Sequence, residues 1–226
     1  MKSKNDYNTN LNFLDNPAIQ IPLFFPSMIG SKFETDSFGM GQLNLFYKSK
    51  ILDKNIIGAI LELTSPLRNE FLNKFPFSIK KNIDSIKNIL PAMMAIQIFL
   101  PSDSKINAKL SLQKNGSILL DGSSQQIDDN LVDEAIKVLR ALGLLTHRGF
   151  AVKVSHGNGI HYGGTLPMKK SPSSEFHTTI NGELFKEEGV FIVDGSILEV
   201  IPSTNYSLTI MANSMRIVNN IIKGLM

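Results

Sequence analysis

Cysteine is absent from all 226 residues of this chain. No disulfide framework, iron–sulfur cluster or thiolate zinc site can form from it. A reducing compartment fits that composition. Long apolar runs are missing too. The longest, residues 89–96, is broken by Pro91 and soon meets Gln97, too short to span a bilayer. The first ten residues are polar and lack the apolar core of a signal peptide. Charge of one sign is also scarce. The 23 basic residues face 20 acidic ones, for a net charge of +3. They are scattered, so a pI near 9.0 makes no case for nucleic acid. What remains is ordinary globular material, 42% hydrophobic, enough for one large domain or two small ones. The expectation is a soluble cytoplasmic protein with no membrane span and no nucleic-acid partner.

Strand and helix signals alternate through the first 150 residues. Residues 1–16 are polar and read as extended. Pro22 and Pro26 interrupt the apolar stretch 19–29, which cannot be one regular helix. Gly39-Met40-Gly41 marks a turn before residues 42–47, which alternate at strand period. Residues 57–63 and 93–100 read as further strands. Ser65-Pro66 reads as a helix start, and 78–90 has helical spacing that Pro91 ends. Asn115-Gly116 between two apolar runs predicts a β-hairpin over 108–120. Asp128 or Asp129 caps a helix to about Leu142, closed by Gly143. Residues 150–154 read as another strand.

Near residue 150 the composition shifts to glycines and short polar residues. The chain divides there into domains 1–150 and 151–226. In the second, residues 189–194 read as a short buried strand and 207–222 as a long helix. That helix has apolar Leu208, Met211, Met215, Val218 and Ile222 at helical spacing. The Met93-Met94 and Met211/Met215 pairs read as core filling. A strand, a loop and a helix without partner strands do not close a core alone. The fold class expected is α+β: a mainly antiparallel sheet with flanking helices, plus this C-terminal strand–loop–helix.

The tail carries the motifs. His161 is followed by Gly164, Thr165 and Met168. Asp194-Gly195-Ser196 ends the predicted strand, with Pro202 and Asn205 after it. Thr209 and Ala212 lie in the helix. Over residues 155–222 this pattern resembles the C-terminal signature of the glucose-methanol-choline (GMC) flavoprotein oxidoreductases. The resemblance implies FAD as cofactor and a small alcohol or sugar as substrate. It implies His161 as catalytic base and Asn205 as its partner at the flavin's reactive face. It places Asp194 and Gly195 against the FAD phosphate and ribityl chain, and Tyr206 and Ser207 at the flavin, with the Ser207 N–H toward a pyrimidine oxygen. The strand–loop–helix would then complete an FAD-binding domain, and residues 1–150 would match a GMC substrate domain in layout.

The chemistry suits these residue types. Oxidising CH–OH by hydride transfer needs a base near neutral pKa, a donor holding the same oxygen, and a positive helix end near the reduced flavin. His161, Asn205 and the N-terminus of the 207–222 helix supply one each. Two departures stand out. The family usually has proline after the asparagine, where this chain has Tyr206. The strand–GxGxxG–helix unit that binds ADP is missing; Gly157-Asn158-Gly159 and Gly39-Met40-Gly41 both lack the spacing and the following helix. The implied partner is an N-terminal FAD-binding half on another polypeptide. The alternative is a non-catalytic remnant or binding module that kept the fold. His156 rivals His161 as base; a metal between them lacks a third ligand and a helix. His147 and His177 read as surface residues, Lys169-Lys170 as a solvated loop, and Asn205 on its own as a helix cap.

Overall fold

A computed structural model describes residues 10–32, 43–62, 88–103, 108–122, 127–154, 159 and 161–225. The fold is α+β with mostly antiparallel sheets. The helix start at Ser65-Pro66, the turn at Gly39–Gly41, most of the 78–90 helix, and His156 lie outside the described residues. The described residues form two compact units.

One unit comprises Ala18–Phe99 and Ile127–Val154. Its strands are β2 (Ala18–Phe24), β3 (Leu43–Ser49), β4 (Lys54–Glu62), β5 (Met93–Phe99) and β9 (Val152–Val154). They form an antiparallel sheet in the order β3-β4-β5-β2-β9. Alternating Ile19, Ile21 and Leu23 put β2 in the core. Pro22 sits inside this interior strand without breaking a ladder bond. β9 pairs only as far as Gln20, and on that side Pro22 offers its carbonyl to the Thr146 hydroxyl at 2.9 Å. Helix α1 (Asp129–Ala141) starts where Asp128 accepts the Asn130 N–H at 2.9 Å. It buries Leu131, Val132, Ala135, Ile136 and Leu139. Glu134 ties it to the β3–β4 turn, accepting from the Ser49 hydroxyl and the Lys50 N–H, each at 2.6 Å. The strand expected over 150–154 is shorter, because Arg148–Phe150 is a 3-10 turn.

The other unit comprises Met1–Pro17, Leu100–Gln126 and Ser155–Met226. The tail therefore clusters with the first strand and with 100–126, which a linear cut at residue 150 assigns elsewhere. β1 (Asn10–Asp15) lies between β10 (Tyr162–Gly163) and β7 (Ala108–Leu112), with β8 (Ile118–Asp121) at the edge. The β7–β8 hairpin forms where Asn115-Gly116 predicts it, by a different turn. Gly116 alone takes the left-handed conformation, with φ +83°, and Gln113 N–H reaches Ser117 O at 2.8 Å. That is a three-residue loop with a glycine bulge, not the two-residue turn. Two-residue strands complete the unit: β6 (Ser102–Asp103) antiparallel to β13 (Val200–Ile201), and β11 (Met168–Lys169) parallel to β12 (Thr178–Thr179).

Two expectations about the tail need correction. Residues 189–194 are not a buried strand. Phe191 makes one isolated bridge to Glu183, and Val190 and Val193 are exposed. Among the described residues the segment has no neighbouring strand on which to continue a ladder. Helix α2 (Ser207–Leu225) is present, but it does not bury its expected apolar face. Leu208, Met211, Met215, Val218 and Ile222 are all exposed, from 44% to 78%. The helix instead buries Ile217, with Ile210, Ser214 and Ile221 half-buried along the same stripe. Met211 and Met215 therefore fill no core here, while Met93 and Met94 are half-buried in β5.

Candidate functional site

The site begins with two turns docked backbone to backbone. The turn after His161 carries Gly163 and Gly164; the other is Asp194-Gly195-Ser196. Gly164 N–H donates to Gly195 O at 3.2 Å, and Leu166 N–H to Ser196 O at 2.9 Å. A Cβ on Gly163 would come 2.5 Å from Gly195 O, so only glycine permits this approach. Gly164 has φ +76° and no room for a side chain, since a Cβ would lie 2.4 Å from Leu14 Cγ. Asp194 turns inward on its own loop, accepting the Ser196 N–H at 2.9 Å and its hydroxyl. Asp194 and Gly195 thus sit beside the His161 turn, as a tight connector between it and α2.

Tyr206 joins the pieces. Its ring packs in a small core with Leu14 and Ile201, against Leu198 and Ile210. Its hydroxyl donates to Tyr162 O at 3.1 Å. The His161 ring meets it edge to face, centroids 5.5 Å apart at 69°. Burial pushes the Tyr206 phenol up to about 12, and the nearby Asp15 carboxylate pushes the same way. The adjacent Asn205 is exposed. Its Oδ1 accepts the Ser207 N–H at 2.9 Å and so opens α2. That N–H is therefore engaged within the chain. The N–H groups of Leu208 and Thr209, next along the helix, have no described partner.

His161 is half-buried, with Nδ1 shielded from solvent. Burial holds its pKa below the ordinary 6.5, and Asp15 pulls in the opposite direction. The imidazole is therefore neutral at pH 7, the state a base requires.

Sequence reasoning missed Asp15 and Asn16. Both are fully buried. Asp15 lies opposite Tyr162 in the β1–β10 register and accepts the Gly159 N–H at 3.1 Å. Asn16 bridges two segments, donating to Leu100 O at 2.7 Å and Pro202 O at 3.0 Å. The available signal was a polar pair wedged between apolar Leu14 and Ala18, with Pro17 ending the strand. A separate cleft of about 170 Å³ is lined by Asn12, Leu14, Lys169, His177 and Glu199, and does not include His161. Lys169 pairs there with Glu199 at 3.1 Å. His177 is half-buried in that wall, whereas His147 is exposed. Among the described residues no three metal-ligating side chains cluster, and no helix is long and apolar enough to cross a membrane. Compared with protein-family models and with curated proteins, the chain matches none.

Proposed function

We propose that this chain is the substrate-side and catalytic-tail part of a GMC-like, FAD-dependent oxidoreductase acting on the CH–OH group of a small alcohol or sugar. An ADP-binding half outside these 226 residues completes it. One observation carries the reading: His161, kept neutral by burial, packs on Tyr206, whose two neighbours open helix α2. His161 and the start of α2 thus meet at Tyr206, which Asn205 precedes in sequence.

The residues suit the ring end of a flavin. Leu208 and Thr209 present free N–H groups at the positive end of a 19-residue helix, which complements charge on a reduced pyrimidine edge. Ser207 N–H is bonded to Asn205, so that role passes to the next two residues. The adenine end has no counterpart, since the strand–GxGxxG–helix unit is absent from the 226 residues. A bound flavin supplies the hydride acceptor. The chain's own residues handle the rest. Nδ1 of His161 is shielded, so Nε2 takes the hydroxyl proton. The Asn205 Nδ2, which donates to no described residue, holds the same oxygen. As the proton leaves to His161 and the hydride leaves the carbon, the alcohol becomes a carbonyl.

The test is co-expression with a chain bearing a strand–GxGxxG–helix unit. The expected complex is yellow and bleaches anaerobically with an alcohol or sugar. His161→Gln should keep the flavin and lose roughly a hundredfold or more in turnover. A complex without flavin, or a His161→Gln variant that turns over normally, overturns the proposal and leaves a non-catalytic module that kept the fold.

A further inference from the structure

Asp15 has no role in the chemistry described so far, yet its place in the fold is unusual. Carboxylates are almost never fully buried unless they are paired or bonded. Asp15 is 0% exposed at the end of β1, across the register from Tyr162, the residue after His161. Gly159, two residues before His161, gives its N–H to the carboxylate. A Cβ on Gly159 would come 2.3 Å from Asp15 Oδ1 and 2.0 Å from Asn16 O, so the backbone closes directly onto this side chain. Asp15 Oδ1 and His161 Nδ1 are both shielded from solvent. Other ionisable groups around the imidazole are Tyr206, a neutral phenol bonded to Tyr162 O, and Tyr162 on β10. The Asp15 carboxylate acts on His161 through its charge, favouring the imidazolium.

We propose that Asp15 is a positioning residue for His161: its buried carboxylate orients the ring through β1 and the Gly159 turn and stabilises the imidazolium formed when His161 takes a proton. A buried base faces a difficulty that a surface one does not. Desolvation opposes the charged product of its own reaction. A fixed negative charge in the same shielded site offsets that cost, and it acts more strongly there than in water. The electrostatic relation stands on Asp15 and His161 alone. That it serves alcohol oxidation rests on the flavoenzyme reading.

The experiment uses Asp15→Asn, which keeps an oxygen to accept the Gly159 N–H and removes only the charge. NMR titration of the purified chain reads the His161 imidazole directly. The expected result is a His161 pKa further below its wild-type value, with the fold and the other three histidines unmoved. An unchanged His161 pKa in a folded variant overturns the proposal. Should the variant fail to fold, the wild-type chain decides. With ¹³C-labelled Asp, the Asp15 carboxylate signal must shift through the same pH midpoint as His161, and a flat carboxylate signal refutes the coupling. In the reconstituted complex, Asp15→Asn should lower kcat at least about tenfold with KM little changed. It should also move the acid limb of the rate profile to lower pH, since His161 must be neutral to act. A missing flavin would refute the function and leave the NMR result standing. A normal profile with flavin bound would refute the positioning role alone.

Discussion

His161 links packing to pH. Its folded pKa lies below 6.5 because burial disfavours the imidazolium. From 6.5 downward the unfolded chain binds more protons than the folded one, so stability is fully present above 6.5 and falls as pH drops below it. Denaturant midpoints measured from pH 7.5 to 5 should show this loss, and His161→Gln should flatten it. Glycines give a second check, because two of them share a backbone conformation but not a neighbourhood. Gly164 and Gly189 have φ of +76° and +77°. A Cβ at Gly164 meets Leu14 at 2.4 Å, while at Gly189 nothing lies within 4 Å. Gly189→Ala should cost about 1 kcal/mol for backbone strain alone. Gly164→Ala should cost roughly 3 kcal/mol, strain plus overpacking. Equal losses in urea unfolding would mean that the His161 turn does not rest on β1 as described. The motif glycines were legible in the sequence, but their reason was not. Gly163 and Gly164 are explained by Gly195 and Leu14, residues far along the chain that no local pattern names.

Helix α2 shows where periodicity runs out. Leu208, Met211, Met215, Val218 and Ile222 make one apolar stripe, and Ile210, Ile217 and Ile221 make another. Either satisfies helical spacing, and the sequence cannot rank them. The fold uses the second: Ile217 is fully buried, and its Cδ1 lies 2.6 Å from where a Cβ on Gly182 would sit. Ser214 reinforces this face by lying against the Ile210 and Val193 carbonyls, and Arg216 donates to Ile180 O at 2.8 Å. Ile217→Ala should therefore cost about 3 kcal/mol in the isolated chain. Met211→Gln and Met215→Gln should each stay within about 0.5 kcal/mol, as exposed positions do. Chemical denaturation of the three variants separates the stripes, and a large loss at Met211 would show that it is covered. By contrast, α1 and the β7–β8 hairpin were readable in advance. Each is closed by neighbours in sequence: Asp128 and Gly143 bound the helix, and Asn115-Gly116 turns the hairpin. Residues 189–194 misled for the opposite reason. An apolar, β-branched run reads as a strand only if a partner strand exists, and among the described residues Phe191 finds only Glu183.

For the chain as a whole, long-range pairing was the unreadable part. β1 closes against β10 and β7, which lie well over a hundred and about a hundred residues away, and this brings Asp15 opposite Tyr162, the residue after His161. The mainly antiparallel layout was readable from alternation and turns; the clustering of the first strand with the tail was not, because no local signal encodes it. The same clustering leaves an account to settle at the surface. The exposed stripe of α2, together with exposed Val190 and Val193, is more apolar than a helix and loop facing only water require. Under the proposed function these residues meet the ADP-binding half, and the free N–H groups of Leu208 and Thr209 meet the flavin. The two surfaces should then become protected together. In the isolated chain, which should be colourless, amide exchange at Leu208 and Thr209 should be fast. On forming the yellow complex, both amides and residues 190–193 should slow markedly, and Met211 and Met215 should resist peroxide oxidation. Flavin colour with no change in α2 exchange would place the cofactor elsewhere. Protection of α2 without any flavin would assign the stripe to a protein contact and remove the redox role from this end of the chain.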